Sequence, residues 1–196
     1  FFFQADDCIR DSVASRGLGD VYKRQMIGNR LVSFFVLMAI FSAVFAISAE
    51  TTLPEEEVEM IMEEFESMVE GIDAFGIFVH NTALSLPMFI PGFGIIWGMF
   101  SAFSTGIAFA AIKSVNPLVE QIPALSILFM TPFGLMEVAA YSIAMSRSYI
   151  FIHKIVKRVS IRNDIRVTLI EIIILLGLLF TGAYVEWYMI EMSSLM

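Results

Sequence analysis

Apolar residues in this chain come in long runs, and most charged residues gather between them. The first run is Leu31 to Ala49, LVSFFVLMAIFSAVFAISA. At about 1.5 Å per helical residue it covers a bilayer core of about 30 Å. A second run begins near Ala74 and is bent by Pro87 and Pro91. A third extends from Phe93 to Ile112, and a fourth from Ile122 to Ser146, interrupted by Thr131-Pro132-Phe133-Gly134. A fifth extends from Val167 to about Ile190. The pattern predicts an all-α polytopic membrane protein with about five transmembrane helices (31–49, 74–91, 93–112, 122–146 and 167–190), the fourth of them broken. Proline inside a span is tolerated where neighbouring helices take up the freed carbonyls. A cleaved signal peptide competes for the first run, because Arg30 precedes it and Ala46 and Ser48 suit a cleavage site. The run exceeds the usual signal core of about 7–15 residues, which favours a retained helix.

Between the first two runs the period changes. Val58, Ile61, Met62, Phe65, Val69 and Ile72 recur at helical spacing, while eight glutamates between Glu55 and Glu70 fill the other face. This predicts an acidic amphipathic helix over 53–72. Thr52 and Glu55 form a candidate capping box, with Pro54 in the first turn. The bland reading is a solvated face on an interfacial or partner-binding helix. The glutamate spacing does not match the ordered oxygens of a calcium loop, so no metal site is expected.

Charge then orients the spans. From Met26 onward the Lys and Arg residues are Arg30, Lys113, Arg147, Lys154, Lys157, Arg158, Arg162 and Arg166. Four spans separate Arg30 from the group in 147–166, so both lie on one side, and the bias of basic residues makes that side cytoplasmic. The N-terminus is then cytoplasmic. The acidic helix and the C-terminus lie outside, in a multi-pass protein of the cell membrane.

Residues 1–25 show neither period. Residues 10–25, ending GLGDVYKRQ, resemble translated sequencing-adapter strings, so 1–25 is read as a non-native or disordered leader containing Cys8, and 26–196 as a single helical membrane domain. Composition agrees. Of 196 residues, 58% are hydrophobic and only 16% charged, against about 25% charged in a soluble domain. One cysteine excludes an intrachain disulfide framework and a multi-cysteine metal site. A net charge of −8 argues against a nucleic-acid partner. The expected partners are the lipid bilayer and other membrane proteins or further copies of the chain.

Two intramembrane features invite a role. Gly94, Gly98, Ala102, Gly106 and Ala110 repeat every four residues, a packing seam along one face of the third span. His80 and Asn81 in the second span, and Glu137 just after the Pro132–Gly134 break, are polar groups that lipid rejects. Asn81 is the expected partner of Glu137, either through that contact or with Glu137 serving backbone groups freed at the break. His80 is read as a satisfied core residue. Glu171 and Glu186, near the ends of the fifth span, are read as interfacial.

The string TPFGLMEVAAYSIAMSRS resembles the proline–glycine–glutamate segment of the stage II sporulation protein M family. A Pro-x-Gly-x-x-Glu pattern opens that family's penultimate span, and here it maps onto Pro132, Gly134 and Glu137. IFVHNTALS is similar to the family's asparagine-containing helix, with Asn81 at the matching place. Two positions depart from the pattern. Ser104-Thr105-Gly106 keeps a glycine where the family usually shows Asn-Gly, and Phe133 stands where His often follows the proline. The resemblance covers roughly Met26 to the C-terminus. It implies a polytopic helical protein of the cytoplasmic membrane that anchors and assembles partners, as the namesake does for a wall-remodelling complex, with the wall chemistry done by those partners.

Three functional readings follow. A non-enzymatic scaffold accounts for the seam and the acidic helix. A transporter or channel subunit would use the broken fourth helix and the buried carboxylate of Glu137, although no internal repeat supports it. An intramembrane hydrolase would need a buried nucleophile with its base, and the chain has neither Gly-x-Ser-x-Gly nor His-Glu-x-x-His. No catalytic residues and no cofactor are therefore expected.

Overall fold

The computed structural model describes residues 30–194. The proposed leader 1–25 and Cys8 lie outside the described residues. The described elements are helical, with no strand among them. They are α1 (Arg30–Ser48), α2 (Glu55–Val69), α3 (Ala74–Ser85) continued by a 3-10 turn (Leu86–Phe89), α4 (Phe93–Val115), α5 (Pro117–Glu120), α6 (Ala124–Met130), α7 (Pro132–Val156), a second 3-10 turn (Arg162–Asp164) and α8 (Ile165–Ser194).

Three helices are each long and apolar enough to cross a membrane: α1, α4 and α8. α6 and α7 make a fourth candidate if taken together, but they are bent by 87° at Thr131. The α3 segment, Ala74–Phe89, is apolar but short. The fourth run is thus two helices with a sharp corner between them. Proline starts α7 instead of kinking a continuous helix, because its missing N–H falls in a first turn where no intrahelical acceptor exists.

Helix ends follow local chemistry. Asp73 caps α3, its carboxylate accepting from Gly76 N at 2.7 Å. The capping box expected at Thr52 does not form. Pro54 takes the N-cap place of α2 with no side-chain cap, two residues beyond Thr52. Glu55, Glu56 and Glu57 in the first turn instead place negative charge against the helix N-terminus. At Pro87 the α-helical ladder of α3 stops. Trp97 Nε1 donates to Leu84 O at 2.9 Å, and Ser148 Oγ adds a second donor at 2.6 Å to Ile90 O, which also accepts from Gly94 N. Gly92, with φ at 76°, reverses the chain into α4.

Contacts sort the helix ends into two layers. Arg30 of α1, Ile90 before α4, the C-terminal half of α7 and the start of α8 meet at one end. At the other, Lys113 of α4 pairs with Glu50 at 2.7 Å. The core between them contains Leu37, Phe41, Phe45, Met88, Ala102, Val138, Met145, Leu175 and Leu179.

The small-residue seam of α4 is consumed within the chain. Gly94 lies under the carbonyl of Met88, Gly98 under the thioether of Met145 on α7, and Gly106 under Ser48 and Phe45 of α1. Ala102 and Ala110 are buried on the same face. One stripe therefore receives three elements. Its close backbone approaches give dispersion contacts that larger side chains would prevent.

α7 continues to Val156, so the basic segment expected over 147–166 is helical for its first ten residues. Arg158, at φ 54°, turns the chain out of the helix, with Val159 N returning to Lys154 O at 2.9 Å. The first arginine after the apolar run does not mark the end of the packed helix. It is buried, for a reason given by its partners.

Candidate functional site

Two polar clusters lie at different levels of the bundle. The first joins α3 and α7. Asn81 shares the buried face of α3 with Ala74, Ile77 and Ser85, at steps of three and four residues. Its Nδ2 donates to Glu137 Oε1 at 2.6 Å, the partner expected from the sequence. Tyr141, one turn along α7, and Glu186 of α8 are within electrostatic reach of Glu137. The ring of Tyr141 packs on Phe41 of α1, 5.7 Å between centroids.

Glu137 is not needed at the helix break. Thr131 Oγ1 donates to Ile127 O at 2.5 Å and accepts from Gly134 N at 3.1 Å, so the corner is satisfied by its own residues. Gly134 is required there for space: a Cβ would come within 2.4 Å of Ile127 O. Pro132 and Gly134 shape the corner, and Glu137 is left to pair with Asn81. His80 is exposed on the outer side of α3, about 100° around the helix from Asn81, and joins no buried cluster. The core role read for it from sequence is thereby corrected.

The second cluster was missed as a cluster by sequence reasoning. Arg147 is 2% exposed, and its Nε donates to Glu171 Oε2 of α8 at 2.5 Å. Its Nη1 lies 3.9 Å from Asp164 Oδ1, and Lys154 Nζ is 2.5 Å from Asp164 Oδ2. Arg30 of α1 pairs with the same Glu171. The guanidinium carbon of Arg147 stands 5.5 Å from the centroid of the Phe151 ring, a cation–π contact. Glu171 is therefore a buried junction between three helices, near the end of α8 where the sequence places it.

The signal for this was in the sequence as helical phase. Ala140, Ala144, Arg147 and Ser148 fall on one face of α7, and all are buried. Glu171 heads the buried series Glu171, Leu175, Leu179 and Ala183 of α8, spaced by four. A charge in phase with small or apolar buried positions is itself buried, and must be paired.

Among the described residues, no group of three or more His, Cys, Asp or Glu side chains is placed to hold a metal ion. The first cluster can donate and accept hydrogen bonds and carry a proton or charge. The second fastens α1, α7 and α8 together.

The Asn81–Glu137 pair gives a direct expectation. Glu137→Gln keeps an oxygen to accept from Asn81 and should unfold within about 1 kcal/mol of the wild type in detergent. Glu137→Ala leaves the Asn81 amide unpaired and should cost about 1–3 kcal/mol. Thermal unfolding of the two variants checks this; equal loss in both would mean that the hydrogen bond does not stabilise the fold.

Long apolar helices, with their buried charges gathered in paired clusters, define a helical membrane protein. A family model described as stage II sporulation protein M matches residues 31–189. The chain belongs to that family. Neither curated proteins nor solved structures give a match.

Proposed function

We propose that this protein is a non-enzymatic membrane scaffold that crosses the bilayer five times and presents α2 to partner proteins outside. The observation that carries the reading is α2 itself. Its glutamates are exposed, as are Met60 and Met68, while Val58 is buried. The helix rests beside α4, near the Lys113–Glu50 pair. It is an acidic surface held at a fixed place on the bundle. The assembly role implied by the family resemblance supports the same reading.

In the proposed topology α1 runs outward, α3 with its 3-10 turn inward, α4 outward, α6 and α7 inward, and α8 outward. The end holding Arg30, Arg147 and Lys154 is cytoplasmic under the bias of basic residues. The short α3 segment crosses because Pro87 and Pro91 lead into a turn whose carbonyls are supplied from α4 and α7.

Replacing Glu59, Glu63 and Glu66 by Gln should leave thermal stability within about 0.5 kcal/mol, as for exposed substitutions generally. It should nevertheless weaken recovery of the native complex in mild detergent. Undiminished recovery of the same partners would contradict a role for α2 in assembly.

A second reading is favoured by one observation, the polar group of Asn81 and Glu137 beside Glu186. It makes the protein a transporter or channel subunit in which Glu137 binds an ion or relays a proton. Ion flux in liposomes that is present in wild type and lost in a folded Glu137→Gln variant would favour it over the scaffold.

A further inference from the structure

The cluster at the basic end is unbalanced. Arg30, Arg147 and Lys154 bring three positive charges to two carboxylates. Lys154 takes Asp164. Glu171 serves both arginines, and the remaining contact of Arg147, to Asp164, is 3.9 Å long. One positive charge is left without a close counter-charge. It can be located further: Nη2 of Arg147 is buried and has no hydrogen-bond partner, although the side chain is only 2% exposed. A water molecule could satisfy that N–H but not the charge. An acceptor that is also an anion satisfies both.

Position narrows its chemistry. The cluster lies where α1 begins, where α8 begins and in the last turns of α7, the level of the lipid headgroups if these helices span the bilayer. Arg30, 34% exposed on its side chain, reaches the outside and shares Glu171 with the buried Arg147. Lys157, Arg158, Arg162 and Arg166 are exposed just beyond it, adding positive potential that draws anions toward this end. A guanidinium presents parallel N–H groups that match the oxygens of a phosphate.

We propose that Arg147 and Arg30 form a binding site for an anionic phosphate group, bridged between the unpartnered Nη2 of Arg147 and the partly exposed guanidinium of Arg30. Two sources carry that chemistry, the headgroup of an acidic phospholipid and a soluble phosphate. Binding releases Arg30 from its shared hold on Glu171, so that two anions, Glu171 and the phosphate, balance the two arginines. Arg147 stays fixed by Glu171, and Lys154 stays on Asp164.

The proposal rests on the membrane-spanning reading, and its test separates the two. Resistance of vesicle-inserted protein to alkaline extraction reports spanning by itself. For the site, the full chain in dodecyl maltoside is titrated with phosphatidylglycerol, with phosphatidylcholine and with inorganic phosphate, and the thermal midpoint is followed. A saturable rise with phosphatidylglycerol, absent with phosphatidylcholine, is expected. A rise with inorganic phosphate alone identifies the soluble source and upholds the site. Arg147→Lys keeps the charge facing Glu171 but removes Nη2, and should weaken the apparent affinity by about tenfold. Lys157→Gln with Arg158→Gln, which alters only exposed charge, should weaken it by about threefold or less. Should Arg147→Lys fail to fold, Arg30→Gln takes its place, with the same loss expected. No midpoint shift with either phosphate source overturns the site, as does wild-type affinity in the arginine variant. An equal loss in the Lys157/Arg158 variant also overturns it, since that marks general surface attraction.

Discussion

Gly94→Ala is expected to destabilise the protein by about 3 kcal/mol, the upper part of the range for overpacking a filled interior, although the change adds one methyl group. The added Cβ would lie 1.9 Å from Met88 O and 2.4 Å from Met88 C. These are backbone atoms, so no side-chain rotation relieves the contact. Met88 is itself fully buried, in the turn that links α3 to α4. Relief therefore requires the turn to move away from α4, and Trp97 Nε1–Leu84 O and Ser148 Oγ–Ile90 O would have to stretch with it. The control is Gly177→Ala. Nothing lies within 4 Å of a Cβ there, and alanine in a helix interior is favoured over glycine by about 0.5–1 kcal/mol. Thermal unfolding in one detergent should thus move the two variants in opposite directions. If Gly94→Ala unfolds with the wild type, α3 and its turn do not pack against α4 as described.

Removing Glu171 should be as damaging by a different route. Glu171→Leu would leave Arg147 buried, with Asp164 as its remaining acidic neighbour, 3.9 Å from Nη1. Breaking a buried pair from one side costs about 3–5 kcal/mol, because the desolvated partner charge stays behind. Arg147→Leu combined with Glu171→Leu removes both charges at once. That pair of changes should recover most of the loss, since a well-packed apolar replacement is often neutral or stabilising. Arg30 is not left stranded, because its side chain reaches the surface. Unfolding of both single variants and the double variant gives the coupling energy directly. Additive losses would show that Arg147 and Glu171 do not act as a pair.

Where periodicity and chemistry coincide, the sequence was a good guide. The four-residue repeat of α4 identified a close-packed face, and Thr131-Pro132-Phe133-Gly134 identified a break. Asn81 and Glu137 stood out because each is polar amid apolar neighbours, and each needed a partner. The 87° corner between α6 and α7 was not legible. Its angle depends on what α6 packs against, and Thr131 caps the corner as well as a loop residue would. The capping box failed by register: Thr52 is followed by Glu55 at the right spacing, but Pro54 between them takes the cap position itself.

A positive charge after an apolar run points to the membrane boundary, and that rule by itself does not show that Arg147 is buried among partners. Here Glu171 and Asp164 arrive from the next helix and its approach, and pairing lets the charge lie inside the bundle. His80 was misread by one position. Ile77, Asn81 and Ser85 set the buried phase of α3, and the residue before Asn81 falls outside it. In both cases the phase of the surrounding residues, more than residue type, decided burial.

The proposed topology has five passes, with the basic end in the cytoplasm and α2 outside. Its most direct test is a set of paired compartment reporters placed after Glu66, near Arg158 and at the C-terminus. An outside signal is expected after Glu66, a cytoplasmic signal near Arg158 and an outside signal at the C-terminus. Glu66 and Arg158 reporting the same compartment, or a cytoplasmic C-terminus, would contradict it.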